Sequence, residues 1–172
     1  VLDPSALAAR LDTVRDRIAR AAGRAGRDPS SIRLVAISKT FPAEYIRAAA
    51  AAGQRDFGEN KVQEALAKMD ALADLPLNWH LVGHLQSNKA RKAGGRFDFV
   101  HSVDDAALLR RLDEGAREAG RRIQLLVQID LAGEPTKHGA PQDELAGLLA
   151  AADGLSAARI VGLMLLPPAV DE

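Results

Sequence analysis

The chain has 172 residues, with 23 Lys and Arg balanced by 23 Asp and Glu, and no cysteine. That length suits one ordinary domain with a sizeable core, and the balanced charge offers no basic footprint for nucleic acid or an anionic membrane surface. Without cysteine, disulfides, thiolate metal sites and thiol nucleophiles are excluded, a composition that fits a reducing compartment. The opening "VLDPSALAARLD" lacks the basic region and apolar core of a signal peptide, and the run "IVGLMLLPPAV" is too short and too proline-rich to span a membrane. The expectation is a soluble, cytoplasmic domain with no nucleic-acid or membrane partner. A start at Val rather than Met is expected to follow loss of something upstream.

From Pro4 to about Arg27 the pattern predicts a helix. Asp3 is placed to cap it, Pro4 suits its first position, and Leu7, Leu11, Val14 and Ile18 recur at helical spacing. "RLVAISK" reads as a strand, and "PAEYIRAAAAAG" as a helix started by Pro42 and stopped by Gly53. The alternation repeats with strand "RDFGE", helix "NKVQEALAKMDAL", strand "NWHLVG" and the basic helical stretch "SNKARKAGG". Strand "FDFVHSV" follows, with Ser102 to Asp105 opening the next helix as a capping-box-like S-x-x-D. That helix carries Leu108, Leu109, Leu112 and Ala116 on its buried face. "IQLLVQIDL" is the fifth strand, 141–153 a helix with Leu145, Leu148 and Leu149, and "RIVGLMLLP" the sixth strand.

This alternation predicts βαβ units and a parallel sheet, and continuous apolar strands are expected where both faces are covered. An open doubly wound sheet and a (β/α)8 barrel both fit the pattern, although only six units can be counted and a barrel takes about 250 residues. No phosphate-binding glycine loop or G-x-S-x-G elbow follows a strand. His80 and His84 have H-x3-H spacing, but along a strand they would stand about 13 Å apart, too far for one metal. Lys89, Arg91, Lys92 and Arg96 read as a solvated helix face, with a phosphate or acidic partner as the alternative.

Lys39 carries more information. In "LVAISKT", Val35, Ile37 and Lys39 share one strand face and Ala36 and Ser38 the other. If the first two fill a barrel interior, Lys39 points inward at the C-terminal rim, where barrel active sites lie. Burial there would disfavour the ammonium and leave an amine able to condense with an aldehyde. An exposed strand-end lysine is the plainer alternative. Other polar groups gather after strands too: Glu59 and Asn60; His84, Gln86, Ser87 and Asn88; and Glu134, Lys137 and Gly139. Together they favour a site, although Asn60 and Ser87 could equally be helix caps.

The blocks "AISKT", "FGENKVQEA", "WHLVGHLQSNK", "GEPTKHG" and "GLMLLPP" resemble, in order and approximate spacing, the pyridoxal phosphate homeostasis proteins. The resemblance implies a TIM (β/α)8 barrel like the alanine racemase N-terminal domain, fold type III. About six of its βα units fall within residues 1–172, a single domain. It further implies pyridoxal 5'-phosphate (PLP) held as a Schiff base on Lys39, with Asn60 near the cofactor. His80 and Met164 fall on blocks that line the mouth, and Lys137 matches a lysine serving as a secondary contact or transfer site. The family pattern continues past "GLMxxPP" with two more βα units that hold the phosphate, so the chain is expected to be truncated or incomplete after Glu172. The implied role is cofactor buffering or delivery to PLP-dependent apoenzymes, without turnover, by a monomer. The alternatives are a PLP-dependent racemase, which would need a tyrosine from an added domain whereas Tyr45 sits inside a predicted helix, and a Schiff-base lyase that needs no PLP.

Overall fold

A computed structural model describes residues 2–131 and 138–166. Helix α1 spans Pro4–Arg24, where the Asp3 carboxylate accepts from the Ser5 and Ala6 amides at 3.0 and 3.1 Å. This is the expected cap, and it satisfies two of the amides that a helix start leaves unpaired. The helix ends three residues earlier than the pattern predicts. Next come β1 (Ala36–Ile37), α2 (Ala43–Ala51), β2 (Asp56–Glu59), α3 (Val62–Ala71), β3 (Asn78–Leu81) and α4 (Ala90–Gly94). The chain continues with β4 (Phe99–Val103), α5 (Ala106–Glu118), β5 (Ile123–Ile129), α6 (Leu145–Ala151) and β6 (Ala158–Leu165).

All six strands are parallel, and they lie side by side in chain order. A doubly wound sheet reverses its strand order at a switch point, whereas a barrel adds every strand in the same direction. The unbroken order therefore decides between the two architectures in favour of a partial barrel wall. One sheet face packs on the helices and contributes Phe57, Trp79, Leu81, Val100, Ile123 and Leu125 to the core, joined by Leu108, Leu109, Leu112 and Ala116 of α5. Within α6, Leu148 is buried but Leu149 is exposed. The opposite, inner face carries the row Ile37, Gly58, His80, Phe99, Gln124 and Arg159, matched strand to strand by register.

Several local expectations change. Only Ala36–Ile37 of the first predicted strand forms a strand, paired with Phe57 and Gly58 of β2. Ser102 does not cap α5. It lies within β4 and donates to the Gly83 carbonyl at 2.8 Å, while Asp105 caps the helix by accepting from the Leu108 amide at 2.7 Å. The basic stretch "SNKARKAGG" begins as a 3-10 turn, Ser87–Lys89, before α4. Here α4 and α5 touch backbone to backbone: a Cβ on Gly115 would stand 2.0 Å from the Arg91 carbonyl oxygen. The start of β6 is tied to α5 by Asp113, whose Oδ1 accepts from the amides of Ser156, Ala157 and Ala158 at 2.7–2.9 Å. Among the described residues, no helix is long and apolar enough to cross a membrane.

Candidate functional site

Strand pleat places Val35 and Ile37 on the inner face. A Cβ added to Gly58, the inner residue of β2, would meet Ile37 Cδ1 at 2.6 Å and Val35 Cγ1 at 3.2 Å. Lys39, two residues beyond Ile37, lines a cavity of about 450 Å³ at the C-terminal ends of the strands. Ile37, Asn60, Val82, Gly83 and His84 form the wall beside it, and Gln128, His138, Met164 and Leu166 the wall across from it. The structure thus brings together Lys39, Asn60 and Met164, three of the expected site residues. Lys39 is exposed rather than buried, and Ile37 beneath it is 48% exposed, because nothing among the described residues pairs with the outer side of β1. Lys137 and Glu134 lie outside the described residues.

The cavity wall includes groups that spacing alone does not bring together. The rings of His84 and His138 stack with centroids 3.8 Å apart and an interplanar angle of 14°. His84 Nδ1 lies 3.8 Å from Asp104 Oδ2, and burial pushes the Asp104 carboxyl above its ordinary range, opposed by the nearby His84. Gln128 is buried and donates its side-chain amide to the His138 carbonyl, joining the end of β5 to the loop before α6. Gly83 is where a side chain would not fit, since a Cβ would stand 2.4 Å from the Asn60 carbonyl oxygen. That close approach sets the end of β2 against the end of β3. Gln128 has no sequence signal pointing to it beyond its position near a strand end, and His138 lies inside the block "GEPTKHG" without being singled out there.

His80 is on the inner face but not at this cavity. It is 1% exposed, stacked on Phe99 with centroids 4.2 Å apart. Its Nε2 lies 3.0 Å from Asp56 Oδ1 and its Nδ1 2.8 Å from His101 Nε2. Burial pushes the proton affinity of both rings down, His101 to about 4, while the Asp56 carboxylate offsets part of the effect for His80. Two neutral imidazoles can share one proton along that contact, one donating and the other accepting. A chain of three polar groups therefore lies within the inner face of the wall.

Glu59 is not on the cavity side either. It turns to the helix side, 0% exposed, where its Oε1 accepts from Ser38 Oγ at 2.6 Å and Lys68 Nζ at 2.7 Å. Ser87 lies in the 3-10 turn and is absent from the cavity wall. Arg91 pairs with Glu114 and Glu118, and Arg96 with Asp70, so half of the basic run is tied to neighbouring helices.

A singly wound parallel sheet with its helices on one side, and a lysine at the strand-end mouth, defines a domain of the β/α barrel class. The family model "Alanine racemase, N-terminal domain" matches residues 9–172. The chain is 44% identical over 168 residues to the pyridoxal phosphate homeostasis protein of Pseudomonas aeruginosa, covering 98% of this chain and 73% of that protein. It is 41% identical over 169 residues to the protein of that name in Escherichia coli K12, covering 96% and 72%. PipY of Synechococcus elongatus PCC7942, solved with PLP bound, superposes with a TM-score of 0.75 at 48% identity, covering 88% of this chain and 70% of that one. The chain belongs to the pyridoxal phosphate homeostasis family, built on the alanine racemase N-terminal domain.

Proposed function

We propose that this chain binds PLP at the strand-end mouth as a Schiff base on Lys39, and holds it for delivery to PLP-dependent apoenzymes without turnover of its own. The observation that carries the proposal is the Lys39 amine on the wall of a 450 Å³ cavity, with Asn60 at the adjoining strand end. That volume lies within the ~300–1,000 Å³ typical of small-molecule sites. The donor set fits the group: one primary amine, the side-chain amide of Asn60, two stacked imidazoles, and apolar surface from Ile37, Val82 and Met164. When bound, PLP supplies an aldehyde that condenses with a primary amine and releases water.

Each side chain then has a task. Exposure of Lys39 leaves its amine open to an incoming aldehyde and, on release, to water or a competing amine. Met164, Ile37 and Val82 present apolar surface to a flat ring, and Asn60 offers both a donor and an acceptor. Lys137, next in sequence to His138, is a candidate second amine. Tyr45 is not placed to act as a second base for racemisation at this mouth. It sits in α2 against Phe41, with ring centroids 5.3 Å apart, and is not part of the wall around Lys39.

Borohydride reduction after PLP loading, followed by peptide mapping, tests the proposal. The expected result is a stable pyridoxyl adduct on Lys39. A loaded protein carrying no adduct there overturns the Lys39 assignment. Incubation with D- and L-amino acids is expected to leave their chirality unchanged, and steady inversion would transfer the case to a racemase.

A further inference from the structure

We propose that Lys68, Glu59 and Glu64 form a clamp that positions Lys39, an inference that rests on Lys39 being the PLP-bearing residue. None of the three touches the cavity. Their contacts converge on the residues either side of Lys39. Ser38 Oγ donates to Glu59 Oε1 at 2.6 Å, and the Ser38 carbonyl accepts from Lys68 Nζ at 2.8 Å. The Thr40 amide donates to Glu64 Oε1 at 2.8 Å. Lys68 is the hub, since its Nζ also bonds both carboxylates, at 2.7 Å to Glu59 and 2.8 Å to Glu64.

Two further features show that this cluster holds something costly in place. Thr40 has φ of +70°, in the left-handed region that a β-branched residue rarely adopts. Such a conformation persists only where its surroundings enforce it, and two restraints act here: the Glu64 bond to the Thr40 amide, and the Phe41 amide donating to the Ser38 carbonyl at 3.1 Å, which closes a turn around residues 39 and 40. In addition, Glu59 is fully buried with Oε2 unpartnered, so its charge depends on Oε1 and on Lys68. Buried ion pairs contribute little net stability compared with apolar replacements of the same shape, so stability alone is a weak reason for this one. Its placement offers a better reason. With residues 38 and 40 pinned on the helix side, the backbone at Lys39 is fixed, and its Cα–Cβ bond is held toward the inner face. The amine is thereby kept at the cavity wall while the side chain keeps only its own torsional freedom.

Two variants test the clamp, Lys68→Met at the buried hub and Glu64→Gln at its more exposed end, which keeps the fold intact if the first does not. Hydrogen exchange of the Thr40 amide is measured without cofactor, and the rate of borohydride-trapped PLP capture at Lys39 is measured at several pH values. Both are compared with wild type at equal distances below each protein's melting temperature. The expected result for Lys68→Met is Thr40 exchange faster by about tenfold, with capture at Lys39 slower by about tenfold. Glu64→Gln is expected to move both in the same direction by less. Wild-type values for either measurement, in folded variants that only melt earlier, overturn the proposal, because a purely structural cluster would lower stability alone. If wild type itself captures no PLP at Lys39, the cofactor reading fails, while Thr40 exchange still decides whether the clamp holds this backbone.

Discussion

Ser38 and Lys39 are neighbours in sequence, as are Glu59 and Asn60, yet the strand pleat separates each pair. Ser38 and Glu59 enter a closed, buried cluster with Lys68. Lys39 and Asn60 reach the open mouth on the other side. The first environment is largely buried and charge-paired. The second is accessible, and its side chains keep the freedom to meet a ligand. One residue of register thus divides rigidity from reactivity, and the rigid side carries the backbone on which the reactive side is mounted.

The largest expected effect that would sharpen this contrast comes from Lys39→Ala. Trapped PLP at the mouth should disappear, while stability measured by urea unfolding changes by less than about 0.5 kcal/mol, as for other exposed positions. On the closed side the pattern reverses. Lys68→Met leaves a buried carboxylate without its cation and should cost about 3–5 kcal/mol. Adding Glu59→Leu to Lys68→Met should recover part of that loss in the same unfolding measurement. A single Lys68→Met variant as stable as wild type would break the comparison.

Acid offers a third, smaller handle. Burial holds His80 and His101 below their ordinary 6.5, His101 at about 4. On acidification the unfolded chain therefore binds protons first, and stability falls between pH 6.5 and 4. The slope per ring approaches about 1.4 kcal/mol per pH unit. Replacing His101 by Phe should flatten that limb of the stability profile. Glu64 acts lower on the scale. Its bond to Lys68, followed by the Thr40 amide, holds its carboxyl below the ordinary 4.5, so its contribution is complete above that value and is lost as pH falls through the depressed one. The smallest effect is expected from Asn60→Ala: stability within about 0.5 kcal/mol of wild type, with weaker PLP binding seen by equilibrium absorbance titration.

Much of the wall can be read directly from the chain. Apolar runs separated by helical stretches specify six βα units, Asp3 announces the first helix, and the alternation of Val35, Ile37 and Lys39 puts the lysine on the face those two share. These are local facts, set by the two-residue period of a strand and the 3.6-residue period of a helix. The same alternation, applied to Glu59, would have removed it from the cavity side, since it is one residue from Asn60. Ser102 misleads because a strand and a capping box can share the same letters, and the run of β4 on to Val103, paired there with Val127 of β5, decides which forms.

What tertiary structure alone decided is the set of partners. Lys68 reaches Ser38 across 30 residues, His138 stacks on His84 across 54, and His80 bonds Asp56 across 24. The direction of strand order, and with it the choice of a barrel wall over a doubly wound sheet, also lies outside local pattern, because both architectures bury the same apolar strands. The sequence by itself determined which residues alternate and which of them share a face. Packing determined which distant groups meet there, because hydrogen bonds and ring contacts depend on ångström distances that only the assembled sheet and helices define.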